Sequence, residues 1–335
     1  MSGLRSILSS FPAAPPVRAV ALLVLTLVIA GCRTNEKASL TTPPQAPTGA
    51  SSYPTPGIVS PAPFSPVASG SGSVYAPQPI PITFSGTAPS SPNQPNITAK
   101  AAFLVDGNGR VLFEKNADTR LPTASTQKLL LGLMVAEKGS LDGTVTVTES
   151  DTWAEPTVMG LKPGETYTRH ELLKAVLIRS CNDIARTLAR DHSGSESAFV
   201  ANLNQRARQL GMDSSYFTNS NGLPSPSGQY STARDLAKMG AAALRNPVVR
   251  DAIGTKVHVF RFANGSTKTI YNTNLVLKNF PYCTGAKTGY TNAAGRCLVS
   301  SATANGKSVI AVVLGSTSPT VWVESEALLR YGLGM

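Results

Sequence analysis

The chain has 335 residues, 41% of them hydrophobic and 15% charged, with a formal net charge of +11. Arg5, Arg18, Arg33 and Lys37 against Glu36 place +3 of that charge before residue 98 and leave +8 for the remainder, with no run of Lys or Arg interleaved with aromatics, which argues against nucleic-acid binding. Only three histidines, His170, His192 and His258, are present, and no CxxC or HxxxH spacing occurs, so neither a metal nor a cofactor is expected.

At the N-terminus, Arg5 and Arg18 precede the apolar run "AVALLVLTLVIAGC". The run is too short to span a bilayer comfortably and reads as the h-region of a signal peptide. Its end, Ile29-Ala30-Gly31-Cys32, resembles the bacterial lipobox, in which the cysteine is lipidated and becomes the first mature residue. Residues 1–31 are therefore expected to be a lipoprotein signal peptide, with Cys32 carrying a membrane anchor in the cell envelope. From Thr41 to Pro95 the chain is rich in Pro, Ser, Thr, Gly and Ala and carries no charge. Such composition buries too little apolar surface to offset ordering entropy, so residues 32–97 read as an extended linker and 98–335 as one catalytic domain.

In the domain, "AAFLVDGNGRVLFEKN" pairs two apolar runs around Asp106-Gly107-Asn108-Gly109, a hairpin signal. Next comes "TASTQKLLLGLMV", residues 123–135. At helical spacing Ser125 and Lys128 share a face, and the residues that follow are apolar almost all round, as in a buried central helix. Burial disfavours the ammonium form of a lysine, and a neutral amine beside a hydroxyl is a base beside a nucleophile. Helical spacing continues through "RHELLKAVLIRS", "ESAFVANLNQRARQLG" and "STARDLAKMGAAALR", the last with Ser231 or Thr232 as N-cap. Ser180-Cys181-Asn182 falls between two of these helices. Lys287-Thr288-Gly289 opens a second strand-like region, which ends in "RCLVSSATANGKSVIAVVLGS" with a turn at Asn305-Gly306. Strands first and last with helices between them imply an α/β (α+β) domain: an antiparallel sheet flanked by helices, plus a helical subdomain.

Ser-x-x-Lys, Ser-x-Asn and Lys-Thr-Gly, each once and in this order within the domain, resemble the motif set of serine D,D-peptidases and class A β-lactamases. The blocks "RLPTASTQKLL", "MGLKPGETYTRHELLKAVLIRSCNDIA", "NGLPSPSGQYSTARDLAKM" and "GAKTGYTNAAGRCLVSSA" extend the likeness from about Ala101 to Leu333. They resemble the serine D-alanyl-D-alanine carboxypeptidases, the low-molecular-mass penicillin-binding proteins of peptidase family S11, here in a lipoprotein form without a C-terminal β domain. The resemblance implies a β-lactamase/D,D-peptidase-like fold acting on peptidoglycan stem peptides and acylated by β-lactam antibiotics.

It also implies roles. Ser125 is the nucleophile and Lys128 its base; Ser180 relays a proton to the leaving amine; Asn182 holds the peptide chain and Lys128; Lys287 supplies positive charge. Thr288 binds the terminal carboxylate, Gly289 admits the substrate, and the N–H groups of Ser125 and Tyr290 form the oxyanion hole. Two departures are visible. Cys181 stands where many relatives have Gly, a thiol that could narrow the site or be oxidised. No basic residue precedes the last helix, which leaves Arg296 as a weak candidate for a second carboxylate contact. Class A β-lactamases need a glutamate downstream of the second motif, and the surroundings of Glu196, "ESAFVAN", do not resemble that loop. Cleavage of peptidoglycan cross-links by an endopeptidase, and a low-turnover binding or β-lactam-sensing lipoprotein, remain as alternatives. A Cys283–Cys297 disulfide and three reduced thiols are equally compatible with the sequence.

Overall fold

A computed structural model describes residues 81–335. Strands β1 (Ala101–Asp106) and β2 (Val111–Lys115) form the first expected hairpin, whose turn is closed by Asp106 Oδ1 accepting from the N–H groups of Asn108 and Arg110. Strand β7 (Cys283–Thr291) leads into a second hairpin, β8 (Gly295–Ala304) and β9 (Lys307–Ser316). Asn305 and Gly306 turn that hairpin with φ of 52° and 71°, the left-handed pair a two-residue connection requires. The five strands form one antiparallel sheet in the order β2-β1-β9-β8-β7, so both ends of the domain meet in its middle.

Alternation along the strands divides the core in two. Leu104, Leu298, Ala311 and Val313 face the C-terminal helix α8 (Thr320–Leu333), packing against Val321, Leu328 and Leu329. Phe103, Val105, Val299 and Val312 face the helical side, in the same core as α1 (Lys128–Lys138) and α5 (Ala233–Arg245). Every residue of α1 from Lys128 to Val135 is buried, as expected for a central helix. Around it stand α2 (Arg169–Arg179), α3 (Asn182–Ser193), α4 (Glu196–Gln209) and α6 (Pro247–Gly254), with the short α7 (Leu275–Asn279) before β7. Thr232 is the N-cap of α5, its side chain accepting from Asp235 N–H.

Three features depart from the sequence reading. Ser125 lies in a 3-10 turn, Ala124–Gln127, that precedes α1 rather than in the α-helix itself. Because positions i and i+3 eclipse in a 3-10 turn, Ser125 and Lys128 are stacked all the more directly. Two small antiparallel sheets interrupt the helical region, β3 (Thr144–Thr146) with β4 (Thr166–Thr168), and β5 (Val257–Arg261) with β6 (Thr267–Tyr271). Finally, part of the stretch assigned to the linker packs on the domain. Ile82 is buried, Phe84 stacks 5.5 Å from Phe103, and Ser85 exchanges backbone hydrogen bonds with Gly109 and Val111. Two large apolar residues suffice to dock a short segment, and proline-rich composition conceals them. Cys32 and the signal segment lie outside the described residues.

Candidate active site

The site is assembled from three connections and the strand β7. The turn before α1 presents Ser125, and Lys128 Nζ lies 2.6 Å from Ser125 Oγ. Between α2 and α3 only Ser180 and Cys181 intervene. Ser180 caps α2 in the left-handed region, φ 70°, and this sharp elbow carries Ser180 and Asn182 to the same place. Lys128 Nζ also donates to Asn182 Oδ1 at 2.7 Å. On β7, Lys287 Nζ donates to Ser180 Oγ at 2.7 Å and to Thr288 O at 3.0 Å. Gly289 lies against the turn before α1: a β-carbon on it would stand 2.7 Å from Thr123 O and 3.1 Å from Ser125 N. Only glycine allows the strand to come so close. Tyr290 follows, half exposed, at the rim.

Both lysines are completely buried, and burial sets their acidity. It lowers Lys287 to about 7. Lys128 falls well below 10.5, through burial first and the neighbouring charge of Lys287 second. A neutral Lys128 amine has two N–H donors and one lone pair. Asn182 Oδ1 takes one N–H. The other goes to a residue that the motifs did not single out, since Lys128 Nζ lies 2.6 Å from the backbone carbonyl of Asn221. With both donors engaged by carbonyl oxygens, the lone pair is left for the Ser125 hydroxyl.

Asn221 is delivered by a braced loop. Asn219 Oδ1 accepts from the N–H groups of Asn221 and Gly222 at 3.2 and 2.7 Å, while Asn219 Nδ2 donates to Leu223 O at 2.7 Å. Gln127, beside Lys128 in sequence, donates to Asn219 O at 2.6 Å. Thr273 is a second unforeseen member, its hydroxyl 2.6 Å from that of Thr288. Asn221 acts through its main chain, so its side-chain type carries no signal; the only trace was the "NGLP" block around it. Thr273 sits just before α7 and carries no motif at all. Asp183, next to Asn182, is buried and accepts from the N–H groups of Met159, Gly160 and Ile184 at 2.9–3.0 Å. Hydrogen bonds to a charged acceptor contribute about 1.5–3 kcal/mol each, enough to pin the segment before α2 to the site.

The cysteines are chemically quiet. Cys181 is buried in the core, where burial pushes its thiol up to about 12, so it is held as the unreactive thiol. Cys283 and Cys297 are free. In the register Cys297 pairs with Gly289 while Cys283 pairs with Ala302, a separation of about 16 Å along the strand at ~3.3 Å per residue. Arg296 stacks on Tyr290, its guanidinium 4.4 Å from the ring centre. Glu196 has its carboxylate engaged by Ser220 and Arg186. Among the described residues no group of three or more His, Cys, Asp or Glu could hold a metal ion.

Residues 88–318 match the family described as D-alanyl-D-alanine carboxypeptidase. The chain belongs to this family. It is 36% identical over 233 residues to the D-alanyl-D-alanine carboxypeptidase DacB2 of Mycobacterium tuberculosis, covering 68% of this chain and 79% of that one. It is also 36% identical over 230 residues to DacF of Bacillus subtilis, 66% of this chain, of which it spans 58%. A D-alanyl-D-alanine endopeptidase of Escherichia coli is 33% identical over 248 residues, with 72% and 77% covered. Among solved structures, a D-alanyl-D-alanine carboxypeptidase from M. tuberculosis superposes with a TM-score of 0.69 at 32% identity, covering 76% of this chain and 96% of that one. The antiparallel sheet with flanking helices is thus the D,D-peptidase fold, and the chain is a hydrolase of the penicillin-binding class.

Proposed function

We propose that the protein is a serine-type D-Ala-D-Ala carboxypeptidase that removes the terminal D-Ala of peptidoglycan stem pentapeptides. The observation that carries the reading is the contact between Lys128 Nζ and Ser125 Oγ, in a buried pair whose second lysine discourages a second positive charge. Lys128 takes the Ser125 proton as Oγ attacks the carbonyl carbon of the penultimate D-Ala. The oxyanion accepts from the N–H groups of Ser125 and Tyr290. Asn182 holds the peptide chain, Gly289 admits it, and Thr288, oriented by Thr273, binds the terminal carboxylate. The C–N bond then breaks, with Ser180, polarised by Lys287, passing a proton to the departing amine of D-Ala. Ser180 recovers its proton from Lys128, and water then attacks the acyl-enzyme, giving a proton to the neutral Lys128, which passes it to Ser125 Oγ as the ester C–O bond breaks.

A β-lactam presents an equivalent amide and acylates Ser125 in the same way. Glu196 is tied up in hydrogen bonds and an ion pair, so the penicilloyl ester is expected to hydrolyse slowly. The identity to an E. coli endopeptidase favours cross-link cleavage as the second reading. Purified muropeptides separate the two: release of free D-Ala from pentapeptides is the expected result, and conversion of dimers to monomers without it overturns the carboxypeptidase reading. A chain that does neither yet binds penicillin is a low-turnover lipoprotein sensor.

The N-terminal sequence supports export and anchorage: residues 1–31 as signal peptide, Cys32 acylated, and a proline-rich tether that holds the catalytic domain, with its docked segment from Ile82, near a membrane. Among the described residues no helix is long and apolar enough to cross one. Mass spectrometry of the membrane-fraction protein is expected to give a chain beginning at Cys32 with added acyl mass. An unmodified Cys32 overturns the anchor.

A further inference from the structure

A pocket of about 540 Å³ adjoins the site, and the mechanism above does not use it. One wall is the loop carrying Asn221, Leu223 and Ser225; the other elements that bound it supply Trp153, Arg186 and Glu196. Asn221 lines this pocket with the same residue whose carbonyl meets Lys128 and Ser125, so the pocket begins immediately beside the nucleophile. Thr288 and Thr273, assigned to the terminal carboxylate, belong to β7 and the segment before α7. The Asn221 loop approaches Ser125 from a different element and offers room for the part of the substrate that stays on the serine.

The lining is specific in its chemistry. Trp153 is 68% exposed, although an indole buries more apolar surface than any other side chain and is seldom left in water. Arg186 Nη1 lies 2.9 Å from Glu196 Oε2, with each side chain one-quarter exposed. Arg186 Nε donates to Ser150 O at 3.1 Å, which with the Glu196 contact engages two of the five guanidinium N–H donors. Glu196 Oε1 accepts from Ser220 Oγ at 2.7 Å and Ser220 N at 3.3 Å. The pocket therefore presents a fixed carboxylate, a guanidinium edge with donors to spare, and an aromatic and a leucine side chain on the way in.

We propose that this pocket is the subsite for the diamino acid of the stem peptide, and that it is built for a side chain ending in an amino acid centre rather than in a lone ammonium. The terminal carboxylate meets the free edge of Arg186, the ammonium meets Glu196, and the intervening methylenes lie against Trp153 and Leu223. A lysyl side chain engages Glu196 and the apolar wall but leaves Arg186 unanswered. This inference rests on the carboxypeptidase reading.

The test compares two synthetic pentapeptides identical except at the third residue, one with diaminopimelate bearing a free carboxylate and one with lysine. Release of D-Ala from the first is expected with kcat/KM at least about tenfold higher, the worth of one hydrogen-bonded charge contact. Arg186→Gln should bring the ratio close to one. Trp153→Ala, at an exposed position that does not threaten folding, should raise KM for both peptides, because both share the methylenes. Equal kcat/KM values in the wild type, or a ratio that survives Arg186→Gln, overturns the subsite. If neither peptide releases D-Ala, the carboxypeptidase reading falls by itself. Calorimetry of the two stem tripeptides with the wild-type protein then decides the subsite, and equal affinities overturn it.

Discussion

Replacing Lys128 with arginine is expected to abolish acylation of Ser125 as thoroughly as replacing it with methionine. General-base catalysis by a positioned group contributes about 10²–10⁴-fold, and that is the loss expected in the second-order rate of penicillin labelling for both variants. Arginine retains the positive charge but cannot give up its proton, so it tests for a base rather than for a cation. Retention of more than a tenth of the wild-type rate by Lys128→Arg would show that charge alone suffices.

The pH profile follows from the same pair. At pH 7 an unperturbed lysine is neutral in fewer than about one molecule in a thousand. Burial and the charge of Lys287 lower the Lys128 value, so the neutral base is present at far lower pH. The acylation rate should therefore rise with pH as Lys128 loses its proton, well below 10.5. A separate loss of rate is expected around pH 7, where Lys287, held to about 7, gives up the charge that polarises Ser180. A rising limb placed near 10.5 sinks the assignment of Lys128 as base.

Gly222→Ala is the second large effect, and it reaches the chemistry through the backbone. Gly222 has φ 86°, and a β-carbon there would overlap Ala124 O and stand 2.8 Å from Ser125 N. The obstacle is main chain on the turn that carries the nucleophile, so it cannot swing aside. Either the turn or the Asn221 loop must move, and with it the carbonyl that orients Lys128. Strain of this kind costs about 1–3 kcal/mol, a fall in Tm of several degrees for a domain of this size. A shift of about 1 Å at a reacting group costs on the order of 10² in rate. Gly228→Ala is the matched control: its φ is 95° but no atom lies within 4 Å of the added carbon. It should show a smaller Tm loss and near-normal penicillin labelling. Equal activity losses in the two variants would mean that backbone strain, not the contact with the nucleophile turn, is responsible.

How far the sequence reaches depends on how each residue acts. Ser125, Lys128, Ser180, Asn182 and Lys287 are proposed to act through their side chains, so residue type and spacing expose them, and in the structure Ser125 and Asn182 share Lys128 while Lys287 bonds Ser180. The strand pattern and the two turn dipeptides similarly announce hairpins at both ends of the domain, because alternation and left-handed turn residues are local properties. The β5–β6 hairpin carries the same kind of signal at Asn264-Gly265, yet a helical neighbourhood obscured it.

What lay beyond the sequence was whatever depends on a partner distant in the chain. Asn221 contributes a carbonyl, a group every residue has, and becomes part of the site only because Asn219 and Gln127 aim it at Lys128 across some ninety positions. Thr273 matters only because α7 sets it opposite Thr288. The sequence by itself singled out the groups proposed to do the chemistry and the order in which they occur. Only the tertiary structure decided that both lysines are sealed from water, because the desolvation that lowers Lys128 comes from all the elements that close around it.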